Sequence, residues 1–183
     1  MAIKIQLLYN DEKDSEAKVL REEQIMKELN TKKEFEEFIP KFYYGFTLDG
    51  IMKVRFTFMD CIDRSYKQIL KLLEEQNPIN RNVLTQLETL VKKLWRYGFS
   101  HNDLSIRNVL SDGNKVKLVD FGLSTLIDSH NLFENETDLT ISEAYEKYFR
   151  TQNTCNVRMM NDLFLILNNY INTHRGGKIK SKL

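Results

Sequence analysis

Asp103, Asn108 and Asp120 stand close together in the chain and are the residue types that phosphate chemistry needs. A carboxylate can take the proton of an attacking hydroxyl, while an amide oxygen and a second carboxylate are hard donors suited to Mg²⁺. Transfer of a γ-phosphoryl group calls for this set, because the hydroxyl must be held in line and the phosphate charge neutralised as it redistributes. The spacing supports the same chemistry. A tight loop can bring Asp103 and Asn108 to one mouth. Val109-Leu110, a turn at Ser111-Asp112-Gly113-Asn114, and Val116 to Val119 then read as a β-hairpin that delivers Asp120 to the same cleft. Taken singly, Asp and Asn are ordinary turn formers, and His101 between apolar elements reads as a structural histidine. The constellation carries the inference.

His101-Asn102-Asp103-Leu104 with Asn108, followed by Asp120-Phe121-Gly122, resembles the H-R-D-L-x-x-x-x-N and D-F-G motifs of the protein kinase superfamily. The resemblance implies an α+β, protein-kinase-like fold with a reduced N-lobe sheet, one helix beside it and a shortened, mostly helical C-lobe. It implies ATP and Mg²⁺ as cofactors, Asp103 as catalytic base, and Asn108 and Asp120 as metal ligands. The matching histidine is structural in that family, so His101 receives no proton-transfer role. The family also pairs a strand lysine with a glutamate on the next helix. Met1-Ala2-Ile3-Lys4-Ile5 reads as that strand. After a polar turn at residues 10–14, a helix is expected from about Ser15 to Leu29, with Leu20, Ile25, Met26 and Leu29 on its apolar face. Glu22 lies on it at close to the family's usual separation from Lys4, so a Lys4–Glu22 ion pair serving the α and β phosphates is expected.

The elements that must position these groups follow from patterning. Phe35 to Phe46 and Ile51 to Met59, split by Leu48-Asp49-Gly50, read as an antiparallel hairpin. Under the resemblance, Met59-Asp60-Cys61-Ile62 is the hinge between lobes. Asp60 and Ile62 there would read the adenine edge, Met59 would stand at the back of the pocket, and Leu110 is assigned to the same pocket. A short helix is expected over Ser65–Glu74 and a longer one over Asn82–Tyr97. The longer helix carries an apolar stripe of Val83, Leu84, Leu87, Leu90, Val91, Leu94 and Trp95 and ends at Gly98. Residues 123–157 correspond to the activation segment, although Ala144-Tyr145-Glu146 is a poor match to the family's Ala-Pro-Glu. Met159 to Ile171 reads as a helix with Asp162 near its start. The expected organisation is residues 1–60 as a partial N-lobe, 61–173 as a shortened C-lobe and 174–183 as a basic tail.

Departures from the family pattern open other readings. No G-x-G-x-x-G occurs, and the residues ahead of Lys4 leave no room for the strands and glycine loop that would cover the phosphates. Asn102 replaces the arginine that pairs with a phosphorylated activation segment in many kinases. Ser105 stands where many Ser/Thr kinases have lysine, and Arg107 sits as in many receptor tyrosine kinases. The leading expectation is a protein kinase acting on a protein hydroxyl, Ser/Thr rather than Tyr. One alternative is a pseudokinase that binds and regulates a partner protein. A second is a small-molecule kinase of the choline or aminoglycoside type, suggested by His101-Asn102-Asp103.

Composition narrows the classes. The chain has 183 residues, 42% of them apolar, enough for one sizeable core, and a net charge of +1 that argues against a dedicated nucleic-acid protein. Cys61 and Cys155, at no metal-like spacing, read as free thiols in a reducing compartment. No signal peptide and no membrane span are apparent, so the cytoplasm, or a host cytoplasm, is the expected location.

Overall fold

The structure is a computed structural model, and it describes residues 1–8, 13–126 and 156–174. The fold is mixed α/β with small antiparallel sheets. Strand β1 (Ala2–Leu8) leads to helix α1 (Lys13–Asn30), a single 3₁₀ turn (Lys33–Phe35), β2 (Phe42–Leu48) and β3 (Lys53–Met59). The three strands form one antiparallel sheet in the order β1-β3-β2.

Alternation along these strands gives the sheet two unlike faces. One face carries Lys4 opposite Thr57, with Gly45 beyond it, and Gln6 opposite Arg55, with Thr47 beyond it. This polar face meets α1. The other face carries three apolar rows: Ile3, Phe58 and Tyr44; Ile5, Phe56 and Phe46; Leu7, Val54 and Leu48. The Tyr44 and Phe58 rings stack with centroids 4.4 Å apart, and those of Phe46 and Phe56 lie 5.2 Å apart. All six apolar residues that β1 and β2 contribute to these rows are exposed.

Among the described residues the remainder comprises β4 (Lys67–Gln68), α2 (Ile69–Glu74), α3 (Arg81–Arg96), β5 (Phe99–Ser100), β6 (Val109–Ser111), β7 (Val116–Leu118), β8 (Thr125–Leu126) and α4 (Asn156–His174). Asn80 caps α3 by accepting from the Asn82 backbone N–H at 3.0 Å, and Gly98, at φ 77°, takes the left-handed turn beyond its end. The α3 stripe is buried except for half-buried Leu84, and it shares the core with Leu163, Leu167 and Ile171 of α4. One apolar cluster continues from there through Leu104, Val109, Leu118 and Phe121 to Ile25, Met26 and Leu29 of α1. The loop bearing Asp103 and Asn108 and the helix bearing Glu22 therefore rest on the same core. Asp162 on α4 is exposed.

Two expected elements come out differently. Residues 35–41 are not strand: Phe35 and Ile39 are buried in the core from the 3₁₀ turn and the bends after it. Pro40 has no N–H to give a ladder, and the Asn30 side chain secures this segment instead. Asn30 Oδ1 accepts from the Phe42 N–H at 2.6 Å, and its Nδ2 donates to the Pro40 carbonyl at 3.3 Å. In the stretch expected as helix over Ser65–Glu74, only Ile69–Glu74 is helical, because Lys67 and Gln68 pair with Ser111 and Leu110. The expected turn at residues 10–14 lies largely outside the described residues. The part of the expected activation segment beyond Leu126, Ala144-Tyr145-Glu146, Cys155 and the expected tail after His174 also lie outside them.

Candidate active site

Lys4 projects from the polar face of β1 toward α1. Its Nζ donates to both carboxylate oxygens of Glu22, at 2.7 and 2.8 Å, and stands 3.7 Å from Asp120 Oδ1. Glu22 is buried. Burial pushes its carboxyl above the ordinary carboxylate value, and the Lys4 ammonium opposes that shift.

The loop that carries Asp103 is fastened through His101. The imidazole is fully buried, with Nε2 3.0 Å from the Val119 carbonyl and Nδ1 3.2 Å from the Asp103 N–H. A neutral ring with its proton on Nε2 satisfies both contacts. Burial lowers the pKa of His101 to about 4, which keeps the ring neutral near pH 7. The Phe121 ring meets it edge-on at 4.8 Å. Asn108 Nδ2 donates to the Asp103 carbonyl at 3.0 Å and to Asp103 Oδ2 at 2.7 Å. Val119 N–H donates to the Asn108 carbonyl at 3.0 Å, one step beyond the Val109–Leu118 pair of the β6–β7 hairpin. The hairpin thus sets Asp120 next to the loop that holds Asp103 and Asn108.

Asp120 has φ 64° and Asn102 φ 60°, left-handed backbone that is costly for side chains other than glycine. At Asn102 three side-chain contacts offset the cost. It accepts from Ser100 Oγ and donates to the Leu123 carbonyl at 3.1 Å and Thr125 Oγ1 at 2.8 Å. At Asp120 the Gly122 N–H reaches Oδ1 at 3.4 Å.

A cavity of about 290 Å³ opens between the two parts of the chain. Its lining is mostly apolar, with Ala2, Ile3, Met26, Pro40, Met59, Ile62, Val119 and Phe121, and its charged groups are Lys4, Glu22 and Asp120. An apolar slot with a few convergent charges is the usual form of a small-ligand site. Met59 and Ile62, both assigned to the expected pocket, line this cavity. Asp60 and Leu110 do not. The Asp60 N–H donates to the Lys41 carbonyl at 2.8 Å, and its carboxylate accepts from the Tyr43 hydroxyl at 2.5 Å. Leu110 is half-buried in β6, opposite Gln68 and Lys117. Asp103 and Asn108 also stand outside the lining.

The donor chemistry fits Mg²⁺. Both hydrogen bonds that Asn108 makes to Asp103 use its NH₂ group, which leaves Oδ1 as a neutral acceptor, and Asp120 adds an anionic oxygen. Two protein oxygens, with water and phosphate oxygens for the rest, is the coordination Mg²⁺ commonly takes.

Sequence reasoning missed Glu23, Arg55 and Thr57, in which buried Glu23 and Thr57 meet a half-buried Arg55 beside Lys4 and Glu22. Arg55 Nε and Nη2 donate to the two Glu23 oxygens at 2.9 and 2.5 Å, and Thr57 Oγ1 donates to Glu23 Oε1 at 2.7 Å. Strand alternation was the available signal, because Arg55, Thr57 and Met59 share one face of β3 and Met59 had already been placed at the pocket.

The sequence model of the protein kinase domain family matches residues 1–147 of this chain. Two viral proteins provisionally named as serine/threonine-protein kinases are similar to parts of it. The fowlpox virus (strain NVSL) protein is 25% identical over 87 residues, which are 46% of this chain and 30% of that protein. The Acanthamoeba polyphaga mimivirus protein is 46% identical over 39 residues, which are 21% of this chain and 6% of that protein. The chain therefore spans well under half the length of either relative it matches.

Proposed function

The chain belongs to the protein kinase family, and from that membership we propose that it transfers the γ-phosphoryl group of ATP to a protein hydroxyl, with serine or threonine as the acceptor. The observation that carries this reading is Lys4 Nζ standing 2.7 Å from Glu22 and 3.7 Å from Asp120. It puts the ammonium for the α and β phosphates beside a carboxylate that can hold metal. The names of the two viral relatives support the choice of serine or threonine.

In this reading the apolar cavity takes the adenine, and Met59 and Ile62 bound it at the hinge. Lys4 holds the phosphates, and Glu22 keeps its ammonium from swinging away. Asp103 orients the acceptor hydroxyl and takes its proton as the new O–P bond forms and the bond between the γ-phosphorus and the β–γ bridging oxygen breaks, with ADP as the leaving group. Asn108 and Asp120 would hold Mg²⁺, which would supply neutralisation of the phosphate charge when bound. Residues 1–60 act as a partial upper lobe, 61–173 as a shortened lower lobe and 174–183 as a tail, in a cytoplasmic setting.

The test is calorimetric ATP binding with and without Mg²⁺, on wild type, Lys4→Ala and Asp120→Ala, followed by phosphate transfer to protein acceptors. Mg²⁺-dependent binding that falls at least tenfold in both variants, with transfer lost in Asp103→Asn, is expected. A folded wild-type chain that binds no ATP at millimolar concentration would overturn the reading. A second reading, a kinase-like regulator of a partner protein, draws on the exposed apolar face of the β1-β3-β2 sheet, since such patches commonly mark association surfaces. ATP binding that survives with no transfer to any acceptor, in wild type and Asp103→Asn alike, would favour it.

A further inference from the structure

Glu22 and Glu23 are consecutive on α1 and both are buried, with 5% and 4% of their surface exposed. Glu22 meets Lys4 on β1. Glu23 is held by a second set of groups from the other two strands. Arg55 grips its carboxylate with two parallel N–H bonds, Thr57 adds a hydroxyl, and Arg55 Nη1 is steadied by Thr47 Oγ1 at 3.1 Å. Gly45 completes the cradle, since a Cβ there would lie 2.3 Å from Glu23 Oε1 and 2.8 Å from Arg55 Nη2. Thr57 is the direct cross-strand neighbour of Lys4. These two consecutive carboxylates of α1 are therefore read by adjacent positions of one sheet face.

We infer that Glu23, Arg55 and Thr57 form a latch that fixes the axial and rotational placement of α1 and so poises Glu22 on Lys4. The argument is geometric. Apolar contacts between a helix and a sheet tolerate small slides, whereas a fork-to-fork Arg–carboxylate pair is satisfied at one placement only. A buried ion pair adds little net stability over apolar packing, and its best-attested use is to specify one arrangement. None of the latch residues lines the nucleotide cavity, and all of them come from α1 and the sheet. Arg55 and Thr57 are thus positioning residues that act through Glu23, and they add a sheet-borne constraint on Glu22 to the apolar packing of α1 against the shared core. This inference rests on the proposed role of Lys4, but its primary readout does not.

The experiment measures acylation of Lys4 by an amine-reactive ester, followed by mass spectrometry on the full chain, alongside phosphate transfer. Wild type is compared with Thr57→Val, Arg55→Lys and the charge-free pair Glu23→Leu/Arg55→Met, which removes the latch without leaving a buried charge behind. Circular dichroism and the unfolding midpoint identify the variants that fold. The charge-free pair is expected to keep a native midpoint yet acylate Lys4 roughly tenfold faster, with smaller increases in Thr57→Val and Arg55→Lys. If transfer is present it should drop in the same order, in kcat more than in KM for ATP. Lys4 protected as in wild type in a folded charge-free variant would overturn the latch. If no variant folds except Thr57→Val, that variant decides alone, and unchanged Lys4 reactivity in it would overturn the proposal. A wild-type chain that binds no ATP, yet shows Lys4 released when the latch is removed, would overturn the kinase reading and leave the latch standing.

Discussion

Asn108 grips Asp103 at two points, its Nδ2 donating 3.0 Å to the backbone carbonyl and 2.7 Å to Oδ2 of the same residue. One amide therefore orients the carboxylate proposed as base while turning its own oxygen outward. Asn108→Ala, which loses the grip and the metal oxygen together, is expected to lower kcat roughly a hundredfold, and steady-state kinetics checks it.

His101 makes stability depend on pH. The folded chain binds a proton there only near pH 4, whereas an unfolded histidine does so near 6.5. Between those values the unfolded state holds more protons, so stability falls as the pH drops from about 6.5 toward 4. The loss from this one group is up to about 3 kcal/mol. Urea unfolding at pH 7, 6 and 5 should show it, and His101→Asn should give a flatter dependence across the same window. Equal slopes in the two chains would exclude His101 as the source.

Gly113 turns the β6–β7 hairpin at φ 95°, and a Cβ there would lie 2.9 Å from the Pro78 carbonyl. Its own carbonyl accepts from the Asn80 N–H at 2.7 Å, so the turn is fastened to the start of α3. Both the backbone angle and the contact oppose a side chain. Gly113→Ala is expected to cost about 2 kcal/mol, read as a lower urea midpoint with an unchanged m-value.

Asn102 occupies a left-handed position and clasps the chain after Gly122 through Leu123 and Thr125. Asn102→Gly keeps the backbone conformation and removes the clasp, whereas Asn102→Ala removes the clasp and adds strain. Amide hydrogen exchange in residues 123–126 should quicken in both variants. The unfolding midpoint should fall further in the alanine form, by about 1 kcal/mol. Exchange that is unchanged in both would mean that the β5–β8 pairing alone holds the segment.

These residues also mark what the sequence could reveal. The Asp103, Asn108 and Asp120 constellation was legible because a short loop and one hairpin position all three, so spacing alone constrained them. Lys4 and Glu22 were found through a strand, a helix and the family spacing between them. Glu23, Arg55 and Thr57 were not: alternation along β3 puts Arg55 and Thr57 on the face of Met59, but their meeting with Glu23 depends on the pairing register of β3 and the rotation of α1, which alternation alone does not encode. Residues 35–41 misled for a related reason. The aromatic residues suggested a strand, but Phe35 and Ile39 are spent on the core, and the Asn30 side chain takes over the bonding of the chain around Pro40.

The outward face of the β1-β3-β2 sheet bears on how this protein can be observed. Ile3, Ile5, Leu7, Tyr44, Phe46 and Leu48 remain exposed in the native state. A fluorescent dye that brightens on apolar surface would bind there before any heating, so its signal would start high and register little at the transition. Trp95 is the sole tryptophan and is 5% exposed within the α3 core. Its intrinsic emission is dark to that patch and changes only when the helix leaves its neighbours, which makes the indole the faithful reporter of unfolding for every variant described above.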